Sequence, residues 1–152
     1  MKIYIVSVQY TGSISGSGGV YAVELSYELA KKGIDVNIIA MGIGNNPEYE
    51  EVSVGKNKIR VYRLWTKDSK KISGPFEGNK KKEIQRLKDF SRKVLGFFSS
   101  EDINETQTII HLLGHYMTPS LAKDLKKIKR YKVISTIYAL ESISEARKGK
   151  IV

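Results

Sequence analysis

Cysteine is absent from this sequence, and proline, histidine and tryptophan are scarce, at three, two and one residues. Without cysteine there is no disulfide scaffold, thiol nucleophile, cysteine-ligated zinc or iron–sulfur cluster. No apolar run approaches the roughly 20 residues that span a bilayer. The opening run Met1–Val8 is too short and alternating for a signal peptide, and no cleavage site follows it. The chain is therefore expected in the cytoplasm. Acidic residues are also few, 16 against 26 lysines and arginines, for a net charge of +10.

What is present suffices for one domain. The 152 residues make a chain that buries roughly two-thirds of its unfolded surface without covalent or metal staples. A single domain over 1–152 is expected. The positive charge is concentrated: residues 56–93 carry 14 basic and 4 acidic groups, whereas residues 1–55 carry 3 and 6. Such a local field favours phosphate, nucleic acid or an anionic membrane surface, although a solvated lysine face has the same composition.

Residues 2–8 read as a buried strand, and Gln9–Gly19 as a polar loop with four glycines. Val20, Val23, Leu25, Tyr27, Leu29 and Ala30 recur at helical spacing up to Lys31-Lys32-Gly33. There the lysines suit the helix dipole, and the glycine supplies a left-handed cap. Asp35–Ala40 is the next strand, completing a βαβ unit whose crossover should be right-handed. Glu51–Val54 and Ile59–Trp65 form a hairpin or two short strands, and Lys67–Asn79 is expected to be a mobile loop. Ile84, Leu87, Phe90, Val94, Leu95 and Phe98 mark an amphipathic helix from Lys80. Thr108–Leu113 and Val133–Ile137 are further strands, separated by a helix from Thr118-Pro119 to about Lys129. Four parallel-type strands alternating with helices give an α/β, Rossmann-like, doubly wound and mostly parallel sheet. Its ligands are expected beyond the strands' carboxyl ends.

The loop before the first helix presents backbone N–H groups where a helix dipole favours an anion. It matches neither standard nucleotide motif. G-x-G-x-x-G from Gly16 would need glycine at Tyr21, and no Gly-Lys-Ser/Thr follows for a P-loop. His111 and His115 lie on and just past a strand, so helical metal-pair geometry does not apply. No metal and no cofactor is expected. His111 reads as a core histidine, and Glu141 as a first-turn helix carboxylate. Trp65, Phe76, Phe97 and Phe98 interleave with the basic segment and, if exposed, suit a membrane interface or base stacking, although helix spacing assigns Phe98 to the core.

Gly18-Gly19 opens a helix that ends Leu29-Ala30-Lys31-Lys32-Gly33-Ile34-Asp35-Val36. This resembles the start of GT-B, group-one (glycogen-synthase-like) retaining glycosyltransferases, whose run is typically L-A-x-R-G-H-E-V. Thr108-Ile109-Ile110-His111 is similar to their D-V-I-H strand, and Val133–Tyr138 to their V-V-x-T-I-H strand. The resemblance covers residues 1–40 and 107–143. It implies the N-terminal, acceptor-side half of a GT-B architecture, moving sugar from a nucleotide-sugar donor to a glycan or anionic lipid-linked acceptor. Ser17, Gly18 and Gly19 would approach the donor phosphates or sugar, while His115, Tyr138 and Glu141 would line the sugar site. Tyr138 stands where the family has a histidine, keeping a hydrogen-bonding group without its ready protonation. Lys80, Lys81 and Lys82 would face acceptor or membrane, implying peripheral contact at the inner membrane face. The family binds most of its donor on a second domain with a Glu-x7-Glu motif, expected to be absent from this chain. Efficient transfer would then need that C-terminal domain or a partner chain. The alternative is a non-catalytic basic α/β module for nucleic acid or a protein partner.

Overall fold

A computed structural model describes residues 1–11, 17–114 and 118–137, without the side chains of Ser17 and Thr118. In chain order the elements are β1 (Lys2–Ser7), α1 (Ser17–Lys31), β2 (Asp35–Met41), β3 (Tyr49–Val54), β4 (Asn57–Leu64), α2 (Lys80–Ser100), β5 (Thr108–Leu113), α3 (Thr118–Ile128) and β6 (Lys132–Thr136). Short 3-10 turns occupy Ser69–Lys71 and Glu105–Gln107.

The six strands form one mixed sheet in the order β3-β4-β2-β1-β5-β6, parallel except for the β3 edge. The four parallel strands expected are present, and β4 is a fifth. It is half of the anticipated hairpin and also pairs parallel with β2, from Val36↔Ile59 to Met41↔Leu64. The hairpin turns through Gly55-Lys56, with Gly55 at φ +60°.

Alternation along β1 explains its continuous apolar run, because both faces of the sheet are covered. Ile3 and Ile5 point with Val36, Ile38 and Ile59 toward α1. Tyr4 and Val6 point with Ile39, Met41 and Ile110 toward Phe90, Val94 and Phe98 of α2 and Leu121 and Leu125 of α3.

Helix α1 departs from the expected stripe. Its fully buried face is Gly19, Ala22, Ser26 and Ala30, while Val20 is 50% exposed. Four small residues at helical spacing let the helix backbone approach the sheet, and its larger side chains pack along the flanks. The helix ends as expected. Gly33, at φ +80°, donates its N–H to Ala30 O and Ile34 donates to Leu29 O, closing a Schellman cap. At the other long helix, the Asn79 side chain accepts the Lys82 N–H at 3.0 Å.

Beyond β2, Gly42 donates its N–H to Leu64 O at 2.9 Å, beneath the Trp65 ring. A Cβ on Gly42 would lie 2.6 Å from two atoms of that indole. Gly42→Ala is expected to destabilise the chain by about 1–3 kcal/mol, as overpacking does. Gly74→Ala, with nothing within 4 Å of its added carbon, is the control in the same urea titration. A loss no larger than the control's would mean that the ring slides aside freely.

Candidate functional site

The sheet brings three strand ends together. Ser7, last in β1, is in register with Leu113 of β5, and Leu113 with Thr136 of β6. The chain thus leaves three neighbouring strands along one carboxyl edge. β1 is also where the strand order reverses, since β2 lies on one side of it and β5 on the other. That is the position at which open α/β sheets hold ligands. Gly114, at φ +137°, turns the chain off β5 while its N–H donates to Thr136 O at 3.1 Å.

The stem of the loop after β1 is built from buried polar contacts. Ser7 Oγ donates to Gln9 O at 2.7 Å. Tyr10 is buried, shares a 2.7 Å hydrogen bond with Ser26 Oγ on α1, and has its hydroxyl pKa pushed up to about 12 by burial. Arg63, near the end of β4, has a side chain only 3% exposed. Its Nη2 donates to Thr11 O at 3.1 Å, Thr11 Oγ1 at 3.2 Å and Glu50 Oε1 at 2.5 Å, and its Nη1 to Pro47 O. One buried cation therefore fixes the foot of the glycine loop to the β3–β4 hairpin.

On the far side of that loop α1 opens with Ser17, Gly18 and Gly19, Gly19 being buried. No acidic residue occupies this first turn, so its N–H groups, which have no partner within the helix, and the helix dipole keep their attraction for an anion. His115, Tyr138 and Glu141, read from the sequence as site residues, lie outside the described residues, as do residues 12–16. His111 is a half-buried histidine with a hydrogen-bond partner. Its Nε2 lies 2.8 Å from Thr136 Oγ1 across β5–β6, and burial lowers its pKa toward the neutral ring.

The basic segment is more structured than its composition suggests. Lys80, Lys81 and Lys82 begin α2 in three different settings. Lys80 Nζ is 3.9 Å from Glu83, Lys81 is exposed, and Lys82 turns toward the loop that follows β4. That loop, expected to be mobile, is tied down by Arg86 of α2, whose side chain is 1% exposed. The guanidinium donates through Nε and Nη2 to both oxygens of Asp68, at 3.1 and 2.8 Å. Its Nη1 donates to the carbonyls of Pro75 and Glu77. The Asp68 carboxyl consequently titrates below its ordinary value, chiefly through this fork. Phe98 is core, Phe97 packs against it, and Trp65 carries the Lys70 ammonium 5.5 Å from its ring centre, leaving Phe76 as the exposed aromatic of the four.

Arg63, Glu50, Thr11 and Arg86 were not singled out from the sequence, yet both arginines carried a signal. The period-two pattern puts Arg63 on the face of Ile59 and Val61, and Arg86 precedes Phe90 and Val94 by four and eight residues. A cation in an apolar register indicates a buried, partnered group.

No protein-family model matches the chain. It is 28% identical over 134 residues to a D-inositol 3-phosphate glycosyltransferase of Corynebacterium glutamicum (strain R), a match spanning 87% of this chain and 29% of that protein. In fold it is similar to a sucrose-phosphate synthase from Thermosynechococcus elongatus, with a TM-score of 0.63 at 17% identity, over 95% of this chain and 35% of the other. A second, shorter chain of that synthase gives 0.61 at 16% identity, over 94% and 66%. The chain thus spans less than a third of the curated relative it matches. Among the described residues no helix is long and apolar enough to cross a membrane.

Proposed function

We propose that a chain similar in sequence to one glycosyltransferase, and in fold to a sugar-phosphate synthase, is the N-terminal, acceptor-side domain of a nucleotide-sugar-dependent retaining glycosyltransferase of GT-B architecture. The observation that carries this reading is the shared carboxyl edge of β1, β5 and β6 at the switch point, with a glycine-opened helix as the element that follows β1. A nucleotide-sugar is a sugar on a diphosphate, and its two ends have complementary needs. The diphosphate needs backbone N–H donors, the role we assign to the first turn of α1 at Ser17, Gly18 and Gly19. The sugar needs polar side chains around its ring, the role we assign to His115, Tyr138 and Glu141 just past β5 and β6. Both substrates must be held for the anomeric carbon to meet its acceptor, so a second domain or partner chain completes the cleft. The basic α2 side would receive a glycan or anionic lipid-linked acceptor. Peripheral contact at the inner membrane face would go through Lys80, Lys81 and Lys82, beside the exposed Phe76 and Ile84.

The test is nucleoside diphosphate release from a panel of nucleotide-sugars by the full-length protein that carries this chain. Gly18→Val, whose side chain would cover the first-turn donors, is expected to lower kcat/KM by about tenfold or more, the scale of one lost charge-assisted contact. Absence of turnover with every donor, combined with salt-sensitive binding to arbitrary DNA, would replace this reading with the non-catalytic basic module.

A further inference from the structure

A cavity of about 480 Å³ opens between the turn that follows β4 and the outer side of α2. Five cations line it, Lys67, Lys71, Lys82, Arg86 and Arg92, against two carboxylates, Asp68 and Asp89. Both carboxylates are already engaged. Asp68 sits in the Arg86 fork, and Asp89 accepts the Lys67 backbone N–H at 3.2 Å and lies 3.8 Å from Arg92. Among the described residues, Lys67, Lys71 and Lys82 make no ion pair. The lining keeps an excess of positive charge, carried by three exposed lysines.

An anion would compensate such an excess. The hollow is also held in shape, because Arg86 is fixed by four hydrogen bonds to Asp68, Pro75 and Glu77. Thr66 N–H and Ser69 Oγ close the turn at 3.0 Å. Its volume lies in the range of small-molecule sites and exceeds what a lone phosphate fills.

We propose that this cavity binds a phosphate monoester or diester, with Lys67, Lys71 and Lys82 as its charge partners and the Arg86–Asp68 fork as its rigid wall. The same chemistry belongs to a soluble phosphate ester and to a phospholipid headgroup. The proposal deepens the acceptor side of the function given above, yet its test needs no sugar transfer and would stand if that function failed.

The experiment titrates the protein with inorganic phosphate and with pyrophosphate at constant ionic strength, chloride being the control, and follows backbone amide shifts. Saturable binding is expected, with the largest shifts at residues 66–71 and in the first three turns of α2. Lys67→Gln and Lys82→Gln should each weaken it by about tenfold, the scale of a charge-assisted hydrogen bond. Lys93→Gln, exposed farther along α2, should leave it unchanged. The targets are exposed lysines, so a folding failure is not the expected confounder. Co-sedimentation with phosphatidylcholine vesicles, with and without phosphatidylglycerol, separates the sources. Vesicle binding lost in the same two variants indicates a headgroup, and binding of soluble phosphates alone indicates a free ester. Equal affinity in wild type and the Lys67→Gln/Lys82→Gln double variant, or equal displacement by chloride, overturns the proposal.

Discussion

Phe98→Ala should remove about 3–5 kcal/mol of stability, the range for emptying a buried aromatic site. Phe98 has no exposed surface and is the ring on which one core converges. Tyr4 of β1 meets it edge-on at 5.3 Å between ring centres, Phe97 at 5.5 Å and Tyr131 at 5.6 Å. The Tyr131 hydroxyl reaches Phe98 O at 3.4 Å, so the backbone there is held as well. These partners come from the first strand, the last turns of α2 and the approach to β6, which are far apart in sequence. Collapse around the missing ring would have to move all three together, and the cavity will stay largely open. The measurement is urea unfolding monitored by circular dichroism. Phe98→Leu, which refills much of the volume, should recover over half of the loss. A Phe98→Ala variant within about 1 kcal/mol of wild type would mean that this cluster is not close-packed.

The second large effect is expected from Glu50→Ala. Its carboxylate is the charged partner of Arg63, whose side chain is 3% exposed, whereas Glu50 itself is about one-third exposed. Removing the carboxylate strands the cation between the carbonyls of Thr11 and Pro47, with no other ion-pair partner among the described residues. Breaking one side of a buried pair costs about 3–5 kcal/mol, and partial exposure of Glu50 places this case near the lower figure. The converse change, Arg63→Met, leaves a carboxylate that water can reach, so it should cost less. The Glu50→Ala/Arg63→Met double variant should recover most of the loss, because exchanging a buried ion pair for apolar groups is often neutral. A double-mutant cycle in urea reads the coupling directly. Additive losses in the cycle would show that Arg63 and Glu50 do not act as a pair. Because Arg63 also holds Thr11, both variants should loosen the foot of the glycine loop, visible as faster amide exchange at Gln9–Thr11.

Much of the fold was legible because local chemistry dictates it. Gly33 after Lys31-Lys32 announced a left-handed cap, and Glu51–Val54 with Ile59–Trp65 left a hairpin or two short strands, of which the structure has the hairpin. Leu87, Phe90, Val94 and Phe98 recur at helical spacing, and α2 buries that face. Along α1 the expected stripe holds in part. A helix lying close on a sheet buries its smallest residues, Gly19, Ala22, Ser26 and Ala30, while Val23, Leu25, Tyr27 and Leu29 are half-buried beside them and Val20 is exposed. Of the candidate site, the α1 opening was recognisable from glycine and position, and its setting at the shared carboxyl edge followed from the alternation of strands and helices.

Composition, charge and spacing by themselves determined an α/β chain with a βαβ opening, capped helices and a basic middle. These are consequences of propensity and period acting within a few turns of chain. Only tertiary structure decided that β4 pairs with β2 as a fifth parallel strand, since pairing depends on which sheet edge lies within reach. It supplied the acceptors that make Arg63 and Arg86 buried clamps, because a guanidinium enters an apolar interior only where distant acceptors meet it. It also divided the lysines at the start of α2, sending Lys82 toward the cavity and Lys80 toward Glu83. Charge is a property of the sequence, whereas the partner that neutralises it, or the hollow that leaves it unneutralised, exists only once the chain has folded.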